Sequence, residues 1–363
     1  MYYYYRVASL TLQSSFELLS FKRFSCEPAE ADVIIEQADR MPVSGEKHFS
    51  GRVAHRETAD GWEITLREND QKGVYTNTDY THIRYFGAAE KTLYGDDEWL
   101  ARICLECWFV RHGYIIFHSA AIEKDGQAFA FSGPSGIGKS TRACAWIQGL
   151  GATLVNGDRP LIRVQEPELY GVPWDGKEQC FRNVHYPLKA IFEVRRSKTD
   201  YIRKMSIEQK RKLLLRQSFV PMWDTETAAL QMGNIAQMAN RVEMVRIFSG
   251  PTGEDARLLY NTLIKQEYLK EEPDMNAKPG FILRNVVDEY ILMPTGDNIG
   301  KFNGTILLNA VSAFVWEKLQ NPMSREDLLK AILDEFEVDK ATASADLDAL
   351  LQTLRGYGVI KDD

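Results

Sequence analysis

Cysteine is scarce in this chain: Cys26, Cys104, Cys107, Cys144 and Cys180 are scattered over 363 residues and odd in number. That usage excludes a disulfide-built scaffold and fits reduced thiols. Cys104 and Cys107 form a lone C-x-x-C inside the apolar run 99–110, so core packing outranks zinc or redox chemistry for them. Also missing is any uninterrupted apolar run near the ~20 residues that cross a bilayer. The opening Met1-Tyr-Tyr-Tyr-Tyr-Arg6 lacks the basic-then-apolar order of a signal peptide, so the expected setting is the cytoplasm, with no membrane partner. No extreme of charge appears either: the net charge is −7, with 26% charged and 44% hydrophobic residues, which excludes a disordered chain and gives ordinary globular composition.

The charge is unevenly spread. Residues 278–363 hold nine Lys/Arg against fourteen Asp/Glu, whereas residues 195–216 hold nine basic residues against Asp200 and Glu208. The basic run is either a solvated helix face or a place for ATP phosphates or an acidic peptide.

What the chain does contain is Phe129-Ala-Phe-Ser-Gly133-Pro-Ser135-Gly136-Ile137-Gly138-Lys139-Ser140-Thr141. It reads as a buried strand, a glycine-rich turn and the first residues of a helix, and Gly133 to Ser140 satisfies the phosphate-loop pattern G-x-x-x-x-G-K-[ST]. Glycines let successive backbone N–H groups converge, and with the helix N-terminus they face a polyphosphate. Residues 133–141 are therefore the expected ATP cradle, with Lys139 on the β/γ-phosphates and the Ser140 hydroxyl on Mg²⁺.

Around this loop the pattern is β-rich. Residues 1 to about 90 read as strands, at Arg6 to Leu12, Asp32 to Glu36, and Trp62 to Leu66 after an Asp60-Gly61 turn. No catalytic constellation stands out there, and His48, His55 and His82 are isolated. Asp96-Asp97 can cap a helix to about Arg111. The short strand Tyr114 to Phe117 then ends at His118, and an Asp125-Gly126 turn leads into the loop strand. Past the loop helix, residues 152–155 form a strand ending in Asn156-Gly157-Asp158-Arg159. An acid at a strand's C-terminal end beside a phosphate loop is placed to order Mg²⁺, which makes Asp158 the candidate beside the alternative of a turn aspartate. Tyr170-Gly-Val-Pro-Trp174-Asp175-Gly-Lys177-Glu178, followed by Phe181-Arg182-Asn183, is a second cluster. It reads as an ordered loop over the γ-phosphate and acceptor, with Lys177 or Arg182 on transferred charge and Asp175 as a substitute base, or as a structural loop.

His118, the phosphate loop and the Leu154-Val-Asn-Gly-Asp158 strand end together resemble the HPr kinase/phosphorylase family and its relatives in peptide natural-product clusters. The resemblance covers roughly residues 100–195. It implies an α/β fold with an HPr kinase/PEP carboxykinase-like P-loop core, a histidine beside the active site, and an Asp-Asp pair of which one member is the base and the other assists the metal. Here Gly157 stands in place of the first Asp, leaving Asp158, His118 or a later carboxylate as base.

After a helix at 253–272 and the linker-like 271–280, the chain reads as a β-hairpin at 281–294 and three amphipathic helices. Their apolar spacings are Leu307, Leu308, Val311, Val315, Leu319, then Leu328, Leu329, Ile332, Leu333, Phe336, then Leu347, Leu350, Leu351, Leu354. This winged-helix-like pattern, with the segment 308–317 and the terminal L-x-x-x-G-V-I, is similar to the PqqD family, which implies recognition of the leader of a ribosomally made peptide. The acidic balance opposes nucleic acid.

The expected division is a β-rich module at 1–92, a P-loop domain at 93–270, a linker at 271–280 and a PqqD-like domain at 281–363. The expected activity is an ATP- and Mg²⁺-dependent kinase acting on serine or threonine of a precursor peptide, with other peptide-modifying enzymes as further partners. The rival is a nucleotide-binding adaptor without catalysis, and Gly157 favours it.

Overall fold

A computed structural model of the chain describes residues 2–88, 91–174, 181–196, 201–249, 259–261, 275–286, 289–299, 302 and 304–362. They divide into two compact units, Met1–Leu269 and Lys270–Asp363. No helix among the described residues is long and apolar enough to cross a membrane.

The first unit opens with an eight-stranded sheet in the order Tyr3–Val7, Leu10–Ser14, Val33–Gln37, His82–Phe86, Gly73–Asn77, Gly61–Leu66, Val53–Glu57, His48–Ser50. The single strand expected over Arg6 to Leu12 is instead a hairpin, turning at Ala8 (φ 51°) and pairing Val7 with Leu10. The reason is in the spacing: Val7, Leu10 and Leu12 are all fully buried, and 7 to 10 breaks a period of two, so only a turn puts all three on one face.

Helix α1 (Gly95–Arg111) covers that face. Asp96 and Asp97 do not cap it: the N-cap is Tyr94, and the two acids lie in the first turn, where a carboxylate favours the helix dipole. They also pair with Arg52 and Lys72. From Leu100 to Val110 most of α1 is buried, Cys104 and Cys107 included, and one hydrophobic cluster joins these residues to Val33, Ile83 and Trp174. The boundary expected between 92 and 93 therefore falls inside a shared core, because the inner face of the sheet is covered by the helix that follows it.

The second sheet of this unit runs Tyr114–Ile116, Leu161–Arg163, Glu168–Tyr170, His185–Arg196, Gln127–Ser132, Ser119–Lys124, Thr153–Asn156. His185–Arg196 is the hinge of the arrangement. Its first residues pair antiparallel with Glu168–Tyr170, and its remainder pairs parallel with both Gln127–Ser132 and Glu243–Ser249. Ala190 to Val194 are accordingly buried, as in a central strand covered on both faces. Helix α2 (Lys139–Leu150) packs on this sheet through Trp146, whose ring centroid lies 5.0 Å from that of Phe129 and 5.6 Å from that of Phe192. Helix α3 (Ile207–Gln217) begins with a Ser206/Gln209 capping box, and α4 (Thr225–Arg241) begins at Asp224. Of the helix expected at 253–272, residues 259–261 are described and helical, and the rest lies outside the described residues.

In the second unit Phe281–Val286, Glu289–Pro294 and Ile306–Leu308 form an antiparallel sheet. Helices α5 (Ala310–Lys318), α6 (Arg325–Glu335) and α7 (Lys340–Gly356) follow, capped by the side chains of Asn309, Ser324 and Asp339. Two expectations change here. Leu307 and Leu308 belong to the third strand and not to the first helix, because Asn309 caps the helix behind them. Residues 275–277, expected in the linker, form a strand paired with Ile360–Asp362, since Met275 (1% exposed) and Ala277 (9%) bury into this unit's own core.

Candidate functional site

The glycine-rich loop 133–138 hangs between a buried strand and a helix, and local chemistry sets both ends. Gln127–Ser132 ends at Gly133, whose φ of 142° strains any larger residue and where a Cβ would sit tightly, 3.2 Å from Ile137 Cγ2 and 3.3 Å from the Val194 carbonyl oxygen. Gly138 (φ 111°) is the N-cap of α2. Between them Pro134, Ser135 and Gly136 are exposed, Ile137 is half-buried, and Ile137 N–H donates to Pro134 O at 3.3 Å. At the helix start Ser140 and Thr141 are exposed. Lys139 is buried, and its Nζ donates to Gly133 O at 3.1 Å and Pro134 O at 3.3 Å. Burial pushes the Lys139 ammonium below its ordinary pKa, and the charge of Asp158 opposes that shift.

Ser119–Lys124 pairs with both Gln127–Ser132 and Thr153–Asn156, so it carries the end of the 153–156 strand to the loop. The Ser119 N–H donates to Asp158 O at 2.8 Å, and the Ser132 hydroxyl donates to His118 O at 2.8 Å. His118 Nε2 then lies 3.2 Å from Asp158 Oδ1, with its Nδ1 3.1 Å from Gln217 Oε1. Asp158 Oδ2 lies 3.7 Å from Arg159 Nε. The hydrogen bond from His118 holds the Asp158 carboxyl below its usual pKa against the opposing effect of burial, with further help from the charges of His118, Arg159 and Lys139.

Two residues of this site were missed in the sequence. Asn156 is fully buried; its Oδ1 accepts the N–H groups of Asp158 and Arg159, and its Nδ2 donates to Val172 O at 3.3 Å and Trp174 O at 3.4 Å. An Asn two residues before an acid in a glycine turn is the signal that could have found it. Arg196, from the basic run, donates from Nη2 to Gly136 O at 2.8 Å; nothing in its local sequence distinguishes it from its basic neighbours.

The second cluster is described only in part. Asp175 and Lys177, with Glu178, lie outside the described residues. Arg182 is exposed, and its N–H donates to Val155 O at 3.0 Å, which sets its backbone beside the strand that ends at Asn156. Gly171 permits this approach, since a Cβ on it would overlap the Arg182 carbonyl oxygen. Trp174 is buried and its carbonyl receives Asn156, so the start of this loop is structural.

The described residues contain no group of three or more His, Cys, Asp or Glu side chains placed to hold a metal ion. A site with one carboxylate and one hydroxyl suits Mg²⁺, which keeps several waters and takes one or two protein ligands beside substrate phosphates. Ser140 and Asp158 are the residues that would hold it.

In the second unit Phe281–Val286 pairs only with Glu289–Pro294 among the described residues, which makes it a sheet edge. Residues 289–360 match the family model for coenzyme PQQ synthesis protein D (PqqD). No curated protein sequence matches the chain. Among solved structures, "TbiB1 in Complex with the TbiA(beta) Leader Peptide" is similar at 22% identity, covering 24% of this chain and 94% of that one with a TM-score of 0.21. A second, "Lasso peptide synthetase B1 complexed with the leader peptide", is similar at 20% identity, covering 24% of this chain and 98% of that one, also with a TM-score of 0.21. The C-terminal part of the chain is thus a PqqD-type domain.

Proposed function

We propose that this chain is an ATP- and Mg²⁺-dependent kinase that phosphorylates serine or threonine of a ribosomally made peptide, recruited through its leader by the PqqD-type domain. The observation that carries the reading is the convergence of the phosphate loop and Asp158, close enough that the charges of Lys139 and Asp158 act on each other. Phosphoryl transfer needs little covalent chemistry from a protein and much positioned charge. The loop N–H groups and Lys139 would bind the polyphosphate, and Ser140 and Asp158 would hold Mg²⁺, which when bound neutralises phosphate charge. The hydrogen bond from His118 holds the Asp158 carboxyl below its usual pKa and orients it, and one of these two, or a later carboxylate, would accept the acceptor hydroxyl's proton. The PqqD-type domain supplies the reason for a peptide acceptor: holding the leader raises the concentration of the core peptide at the transfer site.

Gly157, in place of an acid beside Asp158, favours a second reading. In it the nucleotide serves structure or switching, and the chain presents peptide to a partner modifying enzyme. Incubation of the full chain with γ-labelled ATP, Mg²⁺ and the precursor peptide encoded nearest its gene separates the two. Label on the peptide, lost in Lys139→Ala, is the expected result. Nucleotide binding without transfer selects the adaptor, and absence of nucleotide binding removes both.

A further inference from the structure

A cavity of about 440 Å³ opens in the first unit, lined by side chains of Arg6, Tyr170, Asn183, His185 and Arg163 among others. This is within the size range of small-molecule sites. Its lining holds no Asp or Glu. It does hold unspent hydrogen-bonding capacity for an anion. Arg6 is exposed, and its guanidinium makes no hydrogen bond or ion pair among the described residues. Arg163 turns Nη2 outward to Glu166 (2.9 Å) and Glu168 (2.8 Å), while its buried Nε has no hydrogen-bond partner. His185 adds an exposed imidazole held in place by stacking on Tyr170, centroids 5.1 Å apart and planes at 21°. Tyr170 is in turn fixed by donating its hydroxyl to Glu168.

We propose that this cavity binds a small metabolite-sized anion, a carboxylate or a phosphate ester, through the exposed Arg6 and His185, with the Asn183 amide beside them. The site is independent of the phosphate loop and of the reading of that loop. Asn183 and Val184 line the cavity, and the preceding Arg182 is bonded to Val155 on the strand that ends at Asn156.

The test uses the full chain, with citrate as the carboxylate probe and ribose 5-phosphate as the phosphate ester, each titrated calorimetrically at low salt. Saturable binding of at least one is expected, and the one that binds identifies the source. Arg6→Gln and His185→Gln should each weaken it by about tenfold or more, the size of one charge-assisted hydrogen bond. Both positions are exposed, so these variants keep the fold. Lys139→Ala should leave this binding unchanged. A readout that needs no variant is alkylation: the half-buried Cys26 also lines the cavity, so the bound probe should slow its reaction while the exposed Cys144 reacts at the same rate. No saturable binding of either probe, binding unaltered by both substitutions, or binding lost in Lys139→Ala overturns the proposal.

Discussion

Asn156 Oδ1 accepts the backbone N–H of Asp158 at 3.1 Å, so the orientation of the acid rests on a fully buried amide that faces no solvent. The same amide satisfies Arg159 N–H and the carbonyls of Val172 and Trp174. Asn156→Ala would strip four backbone groups of a partner at once, at about 1–3 kcal/mol for each that stays buried and unpaired. A loss of about 3 kcal/mol of stability in urea unfolding is expected, together with weakened Mg²⁺ dependence. Wild-type stability in this variant would mean that the turn holds its shape without the amide.

Lys139→Ala should separate binding from folding. Among the described residues its Nζ donates to loop carbonyls, so thermal unfolding should shift little, while affinity for ATP should fall about 10- to 100-fold or more, as for loss of a charge-assisted contact. Calorimetric titration with ATP and with adenosine distinguishes this from general damage: adenosine affinity, which has no phosphate contribution, should be the same in both proteins.

Asp158→Asn should remove the Mg²⁺ dependence and change the acid limb of stability. The Asp158 carboxyl is held below its usual pKa chiefly by the His118 hydrogen bond. A group with a depressed folded pKa contributes stability above its unfolded pKa and loses that contribution as pH falls through the folded one. The stability difference between wild type and Asp158→Asn should therefore be flat at neutral pH and shrink on acidification below about pH 4, the ordinary carboxylate range. Urea unfolding across that interval measures it, and a difference that grows on acidification would contradict the assignment.

Much of this architecture was legible in the residues because it obeys local rules. The capping residues Ser206, Asp224 and Ser324, the Asp125-Gly126 turn and the glycine loop are each set by short-range chemistry. What was not legible depends on partners distant in sequence. The hairpin at Ala8-Ser9 and the strand at 275–277 follow from which apolar side chains find a core, and Met275 finds it against a strand more than 80 residues away. In the candidate site the loop, His118 and Asp158 could be named from order and spacing. Asn156 is signalled only by its place two residues before the acid in a glycine turn; its donation to the Val172 and Trp174 carbonyls depends on a loop farther along the chain.

The PqqD-type domain should bind peptide by itself. Residues 270–363 form a compact unit with their own hydrophobic core, including Trp316, Leu328, Leu347 and Leu354. An extended leader is expected to add as a strand to the edge of the hairpin at 281–294, gaining backbone pairing there and side-chain selectivity from neighbouring apolar surface. Residues 278–363 carry nine Lys/Arg against fourteen Asp/Glu, a balance that repels a phosphate backbone. The isolated unit should therefore bind labelled leader peptide and ignore duplex DNA at moderate salt. Deleting it from the full chain should raise the apparent KM for the whole precursor while leaving turnover of a leaderless peptide nearly unchanged, because it contributes binding and no contact in the transition state. DNA binding without peptide binding would instead make this unit a nucleic-acid reader, and an equal fall in kcat and kcat/KM on deletion would place part of the transfer site within it.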